Sequence, residues 1–207
     1  MKITLTCLCS LLLTFCAMSQ NKEMKLPAPQ KTGGKPLMEA LAARATNRAL
    51  DPDKSLSQQQ LSNMLWAAWG INRPDGRRTA ASAMNCQEID LYLIGKQGAY
   101  LYNATEHALE PVAEGDFRSQ VSAQEFAKNG DWIVIFVADH NKMKHPNEVT
   151  AGIDAGLIAQ NIYLYGASEN LGVVAHASID RNTIAKTLKL KPNQHIVIAQ
   201  TVGIPAK

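Results

Sequence analysis

The chain has 207 residues, enough for one domain with a substantial core. Hydrophobic residues make up 46% and charged residues 19%, which excludes a disordered polypeptide. With 21 Lys+Arg against 18 Asp+Glu, the net charge of +3 is too small and too evenly spread for a nucleic-acid-binding surface.

The first stretch, "MKITLTCLCSLLLTFCAMSQ", reads as a secretory signal peptide over residues 1–19. Lys2 is followed by an apolar run from Ile3 to about Ala17, then by Ala17-Met18-Ser19 before Gln20. The run is short for a stable membrane span. Lipidation at Cys16 is the alternative, and the bulky Phe15 before it argues against that. The expectation is export, to a periplasm where one exists. Cys7, Cys9 and Cys16 leave with the signal, so the mature chain keeps Cys86 alone and must be stabilised by packing.

Residues 20–36, polar with Pro and Gly, read as a flexible tether or an extended arm. The domain proper runs over 37–207. "PLMEALAARA" (36–45) has Pro36 at a helix start and Leu37, Leu41 and Ala45 spaced by four. "SLSQQQLSNMLWAAWGI" (55–71) is a helix with a Ser57/Gln60 capping box and a stop at Gly70. "NRPDGRRTA" (72–80) is a cation-rich loop. Alternation predicts strands near 89–95, 99–103 and 107–111. Residues 116–130 suit one or two short helices ended by Gly130. "DWIVIFVAD" (131–139) predicts a central strand buried on both faces.

Residues 147–172 predict a long helix, apolar nearly all round and therefore buried. Its Gly152, Ala155, Gly156 and Ala159 form a small-residue face, suited either to tight internal packing or to a helix–helix dimer seam. A strand (171–178), a helix capped by Asp180 (180–190) and a last strand (194–205) complete the chain. The sum is an α+β domain with four or five strands and five or six helices.

No metal site is marked: cysteines are unpaired, and no two of His107, His140, His145, His176 and His195 stand at ligand spacing. His140 and His145 only bracket a loop. "TGGKP" (32–36) lacks the strand and spacing of a phosphate loop, and no Gly-x-Ser-x-Gly element is present. Cys86 reads as a structural thiol, with no local base to make it a nucleophile. What remains is a distributed polar set. Arg44, Thr46 and Arg48 follow the first helix, and Thr79, Ser82, Asn85 and Gln87 follow the cationic loop. Such a set suits a polyhydroxylated ligand carrying a phosphate, since guanidinium binds phosphate bidentately. An ordinary helix end with surface arginines is the competing reading.

The order of these elements resembles the FMN-dependent nitroreductase family from about residue 37 to 203. The resemblance rests on Arg44-Ala45-Thr46-Asn47-Arg48, on "LSNMLWAAWGINR" (61–73), on Ser82-Ala83-Met84-Asn85 and on "DAGLIAQNIYLYGASENLG". The "LWAAWGI" phrase with its cationic loop and the "YLYN…HALEPV" hairpin are most similar to the branch of azoline-forming dehydrogenases.

The resemblance implies a three-layer fold with a mixed, mostly antiparallel sheet, and a homodimer holding FMN at its interface. Arg44 and Thr46 would hold the phosphate end, and Arg48 the pyrimidine edge of the ring. Ser82 and Asn85 would reach the ribityl chain or ring edge from across the interface. Backbone N–H groups of the segment Val174–Ser178, among them Val174, His176 and Ala177, would face N5 and O4. Lys207 stands where the family often carries a basic tail over the phosphate. No side chain is implied as a catalytic acid or base. The activity implied is hydride transfer from NAD(P)H or another reductant, through flavin N5, to a small-molecule acceptor such as a quinone or nitro compound. A flavin-binding module of the same fold without NAD(P)H turnover is the alternative.

Overall fold

The computed structural model describes residues 23–207. The expected signal segment 1–19, with Cys16, lies outside the described residues. Seven strands form one sheet: β1 (Met24–Lys25), β2 (Ile89–Ile94), β3 (Gly98–Asn103), β4 (Ala108–Glu114), β5 (Trp132–Asp139), β6 (Gly172–His176) and β7 (Gln194–Gly203). Their order is β1-β4-β3-β2-β5-β7-β6. Every pairing is antiparallel. Among the described residues the sheet thus has seven strands where four or five were expected, and no parallel pair makes it mixed.

β5 lies inside the sheet and shows why a continuous apolar run forms a central strand. Val134, Phe136 and Ala138 enter one core, while Ile133, Ile135 and Val137 enter the other. β2 divides in the same way, with Leu91 and Leu93 on one side and Tyr92 and Ile94 on the other. β4 runs on through Pro111, which pairs with Tyr100 where the register shifts. β1 covers only Ala108 and Leu109, so the missing N–H of Pro111 costs no ladder bond to it.

Six α-helices cover the sheet: α1 (Leu37–Ala43), α2 (Gln58–Trp69), α3 (Arg118–Val121), α4 (Glu125–Asn129), α5 (Glu148–Glu169) and α6 (Arg181–Thr187). α2 and α5 pack over one face through Leu61, Met64, Leu65, Ala155, Ile158 and Ile162. Val121, Phe126 and Ile184 of α3, α4 and α6, with Leu188 just after α6, close the other. α2 starts where the Ser57 side chain accepts from the Gln60 N–H and Gln60 answers to the Ser57 N–H, the capping box expected from sequence. α5 starts on Asn147, which accepts from the Thr150 N–H, and stops at left-handed Asn170.

The segment before α1 is an extended arm laid on the domain. The Leu26 N–H donates to the His107 carbonyl, Ser62 donates to the Pro27 carbonyl, and the Lys35 ammonium donates to the carbonyl of Ala167 and to Asn170. Among the described residues, no helix is long and apolar enough to cross a membrane.

α5 departs from expectation. Ala151, Ala155, Ile158, Ala159 and Ile162 are buried, but Val149, Ile153 and Leu157 are 71%, 59% and 45% exposed. A Cβ at Gly152 or Gly156 would meet nothing within 4 Å. The small-residue face is thus divided: its alanines pack inward and its glycines lie on an open apolar side. Leu37, Met38 and Leu41 of α1, which packs against α5, are exposed as well.

Candidate functional site

After α1 the chain straightens. Arg44 through Leu50 runs beside the edge strand β6, held by the Asn47 N–H on the Val173 carbonyl at 3.2 Å. The far end of the chain locks this strap, because Asp51 N–H donates to Ile204 and Ala206 N–H to Ala49. Lys207 is exposed one residue beyond that anchor. Gly172 lets the strap come close: a Cβ there would meet the end of the Leu50 side chain, which would have to shift.

The strap presents cations without acids. Arg44 lies 5.4 Å over the Tyr163 ring and Arg48 lies 5.9 Å over Phe126. Neither enters an ion pair among the described residues. Aromatic faces hold guanidinium groups in place and leave their N–H forks open. Thr46 Oγ1 sits 3.0 Å from the Tyr163 hydroxyl, which in turn accepts from the Ala175 N–H at 2.8 Å. Tyr163 therefore ties strap, helix and edge strand together. Sequence reasoning missed it, because within "NIYLYG" it reads as one more core aromatic.

The direction of the β6 backbone corrects part of the expected N–H set. Val173 C=O and Ala175 N–H point outward, to Asn47 and Tyr163. Backbone groups alternate along a strand, so Val174 and His176 turn theirs into the pairing with Thr201 and Ala199 of β7. Within β6 the outward N–H belongs to Ala175, and Ala177 follows just past the end of the strand. The His176 ring is also turned inward, 3.0 Å from Thr201 Oγ1 and edge-on to Phe126. Burial holds its pKa below the usual imidazole value, partly offset by the Ser178 carbonyl. Beyond Ala177 a groove of about 600 Å³ opens between Ser119–Ala123 and Ala177–Thr183.

Ser82 and Asn85 lie on a separate loop, with a 3-10 turn at Ala83–Asn85. Met84, Asn85 and Gln87 all adopt left-handed φ near +50°, an uncommon state for residues with a Cβ. The loop is pinned from several sides. Ser82 Oγ accepts from the Gln87 N–H, Arg78 donates to Gln87 Oε1, and Asp154 of α5 accepts from the Ala83 N–H at 2.7 Å. Cys86 is half-buried in the same loop.

Below this loop lies a carboxyl pair. Glu88 is fully buried, and neither of its carboxyl oxygens makes a well-formed hydrogen bond among the described residues. Desolvation pushes its pKa up to about 7, and neighbouring Asp154 adds to the rise, while its own backbone N–H and Lys142 oppose it. A proton held on Glu88 lets the two acids hydrogen-bond instead of repelling. The sign for stability follows. Between the usual carboxyl value of 4.5 and about pH 7, the unfolded chain releases a proton that the folded chain keeps. Glu88 therefore withdraws stability progressively as pH rises through this window, on the order of 3 kcal/mol at its full extent. Thermal unfolding across a pH series should show a decline for wild type that Glu88→Gln largely removes; equal slopes would assign the proton elsewhere.

The two halves are mounted on one helix but do not converge. Asp154 and Tyr163 are nine residues apart, about 13 Å along α5 and about 180° around it. The exposed side carrying Val149, Ile153 and Leu157 lies between those directions. Within a single chain the strap and the Ser82–Gln87 loop thus flank an open apolar face from opposite sides.

The model of the nitroreductase family matches residues 41–204, which spans the strap, the loop and the sheet. The chain belongs to the nitroreductase family. It is thus a member of a family of oxidoreductases. A solved nitroreductase-family structure from Ralstonia eutropha JMP134 is similar at 36% identity, covering 89% of this chain and 90% of that one, with a TM-score of 0.84. A nitroreductase from Desulfovibrio desulfuricans, solved in complex with FMN, is 21% identical over 84% of this chain and 89% of its own, at TM-score 0.62. The Escherichia coli microcin synthetase McbBCD complex includes a chain with the same fold, at 18% identity and TM-score 0.69 over 98% of this chain and 85% of that one.

Proposed function

We propose that this nitroreductase-family protein is an exported FMN-dependent oxidoreductase whose flavin site is completed by a second copy of the chain. The observation that carries the reading is the pair of acid-free guanidinium groups, Arg44 and Arg48, held over Tyr163 and Phe126 beside an edge strand. Two cations without carboxylate partners fit a bound phosphate monoester and an electron-rich ring edge.

FMN, held by these residues, would supply two-electron redox chemistry between a hydride donor and a quinone, nitro compound or similar acceptor. The chain's own residues bind, orient and polarise. Arg44 and Thr46 hold the phosphate end, and Lys207 follows the tail anchored at Ala49. Arg48 faces the pyrimidine edge, where a fixed cation favours the negative charge that reduction develops. The N–H of Ala177, just past the end of β6, supplies a neutral donor to the ring, while the Ala175 N–H stays on the Tyr163 hydroxyl. Ser82 and Asn85 come from a second copy, seated on the apolar side of α5 and α1. An exposed apolar surface of this extent suits a partner. The segment 1–19 directs export.

The test is anaerobic mixing of the flavin-loaded protein with NADH and with NADPH, followed by a quinone. Loss of visible flavin absorbance with one nicotinamide, and its return with the quinone, is the expected result. Flavin that stays oxidised with both would contradict NAD(P)H turnover and favour the binding-module reading.

A further inference from the structure

Away from the strap, the structure gathers a second set of chemically competent side chains. β5 and β7 pair Ala138 with His195 and Asp139 with Gln194. β5 ends there, and a single 3-10 turn, His140–Lys142, follows. The turn is fixed at both sides: Asp139 accepts from the Asn141 N–H at 3.0 Å, and the His140 N–H donates to the Asn193 carbonyl at 3.0 Å. This brings the rings of His140 and His195 to a centroid separation of 4.6 Å with a 32° tilt. Glu148, the first residue of α5, enters from a third element and places Oε1 3.5 Å from His140 Nε2.

One ligand-type atom from each of His140, Glu148 and His195 lies within 4.8 Å of the others. The arrangement leaves a polar atom unexplained. His140 Nε2 is buried and, apart from the long 3.5 Å approach of Glu148 Oε1, has no hydrogen-bond partner among the described residues, a situation that native proteins rarely tolerate without an ion or water. We propose that these three residues form a binding site for a divalent transition metal of the zinc class.

Two imidazoles and one carboxylate suit zinc, nickel or copper, and are a poor set for magnesium or calcium, which prefer oxygen. With metal–donor distances near 2.1 Å, tetrahedral donors stand about 3.4 Å apart, so the set must close by about 1 Å. Glu148 already stands 3.5 Å from His140, so the movement falls mainly to His195, and both Glu148 and His195 are exposed and free to make it. Three protein ligands leave a fourth position for water or a solute, as in open zinc sites. His145, on the same loop and the nearer partner in sequence, takes no part. The pair formed is His140 with His195, joined by strand pairing across 55 positions and therefore invisible to local spacing.

Chelator-treated full-length protein titrated with ZnCl₂ by calorimetry tests the site, with His140→Ala, His195→Ala, Glu148→Gln and His145→Ala alongside. We expect about one zinc per chain, a loss of affinity of roughly tenfold or more for each histidine variant at the site, a smaller loss for Glu148→Gln, and none for His145→Ala. Zinc should also raise the melting temperature of wild type and not of His140→Ala, which guards against a folding artefact. Cu²⁺ bound to wild type should give an electron paramagnetic resonance spectrum with two nitrogen ligands. No stoichiometric zinc uptake by wild type, or uptake unchanged by His140→Ala and His195→Ala, would overturn the site and reduce His140–Glu148 to a simple ion pair. Neither outcome bears on the flavin reading.

Discussion

Replacing Arg44 and Arg48 together by alanine should strip FMN from the purified protein while leaving the fold intact. A hydrogen bond to a charged group contributes about 1.5–3 kcal/mol. Each guanidinium then accounts for roughly 10- to 100-fold in affinity. Flavin retained through purification should fall to a small fraction of the wild-type load, and added FMN should bind far more weakly. The cost to stability should stay within about 0.5 kcal/mol per residue, because neither arginine has an acid partner to abandon. Released-flavin fluorescence and urea unfolding separate the two effects. Intact flavin load in the double variant would show that the strap does not grip the cofactor.

The second large effect is expected from Ile153→Arg. Ile153 is 59% exposed in the single chain and lies on the apolar side of α5. In a monomer the change should be neutral or favourable. In the proposed dimer it buries an unpaired charge, which costs several kcal/mol. Light scattering should show a halved mass, and flavin should be lost although position 153 is far along α5 from the arginine strap. A variant that keeps both its mass and its flavin would mean that this face is not the seam.

Much of the fold was legible because local pattern and tertiary role agree. The alternation in 89–103 and the unbroken apolar run of β5 each point to one position in a sheet. The Ser57/Gln60 box fixes a helix start by itself. β1 was not legible: Met24 and Lys25 have no alternation, and they form a strand only because β4 offers an edge. α5 misled for a different reason. Apolar residues that face a core and apolar residues that face another chain have the same composition, so Ile153 and Ile158 look alike in sequence. At the site, spacing alone left Arg44 and Arg48 open to an ordinary helix end, and only the family resemblance singled them out. The roles of Tyr163, Glu88 and His195 could not be read at all, because each depends on contacts with residues distant in the chain. The N–H phase of β6 likewise depends on which neighbour lies on which edge, and that is a property of the assembled sheet.

The most direct test of a shared FMN site is the flavin content and mass of the purified protein, measured on the same sample. The account predicts yellow protein of twice the chain mass that releases FMN at about one per chain on denaturation. Colourless protein that takes up no added FMN would contradict it.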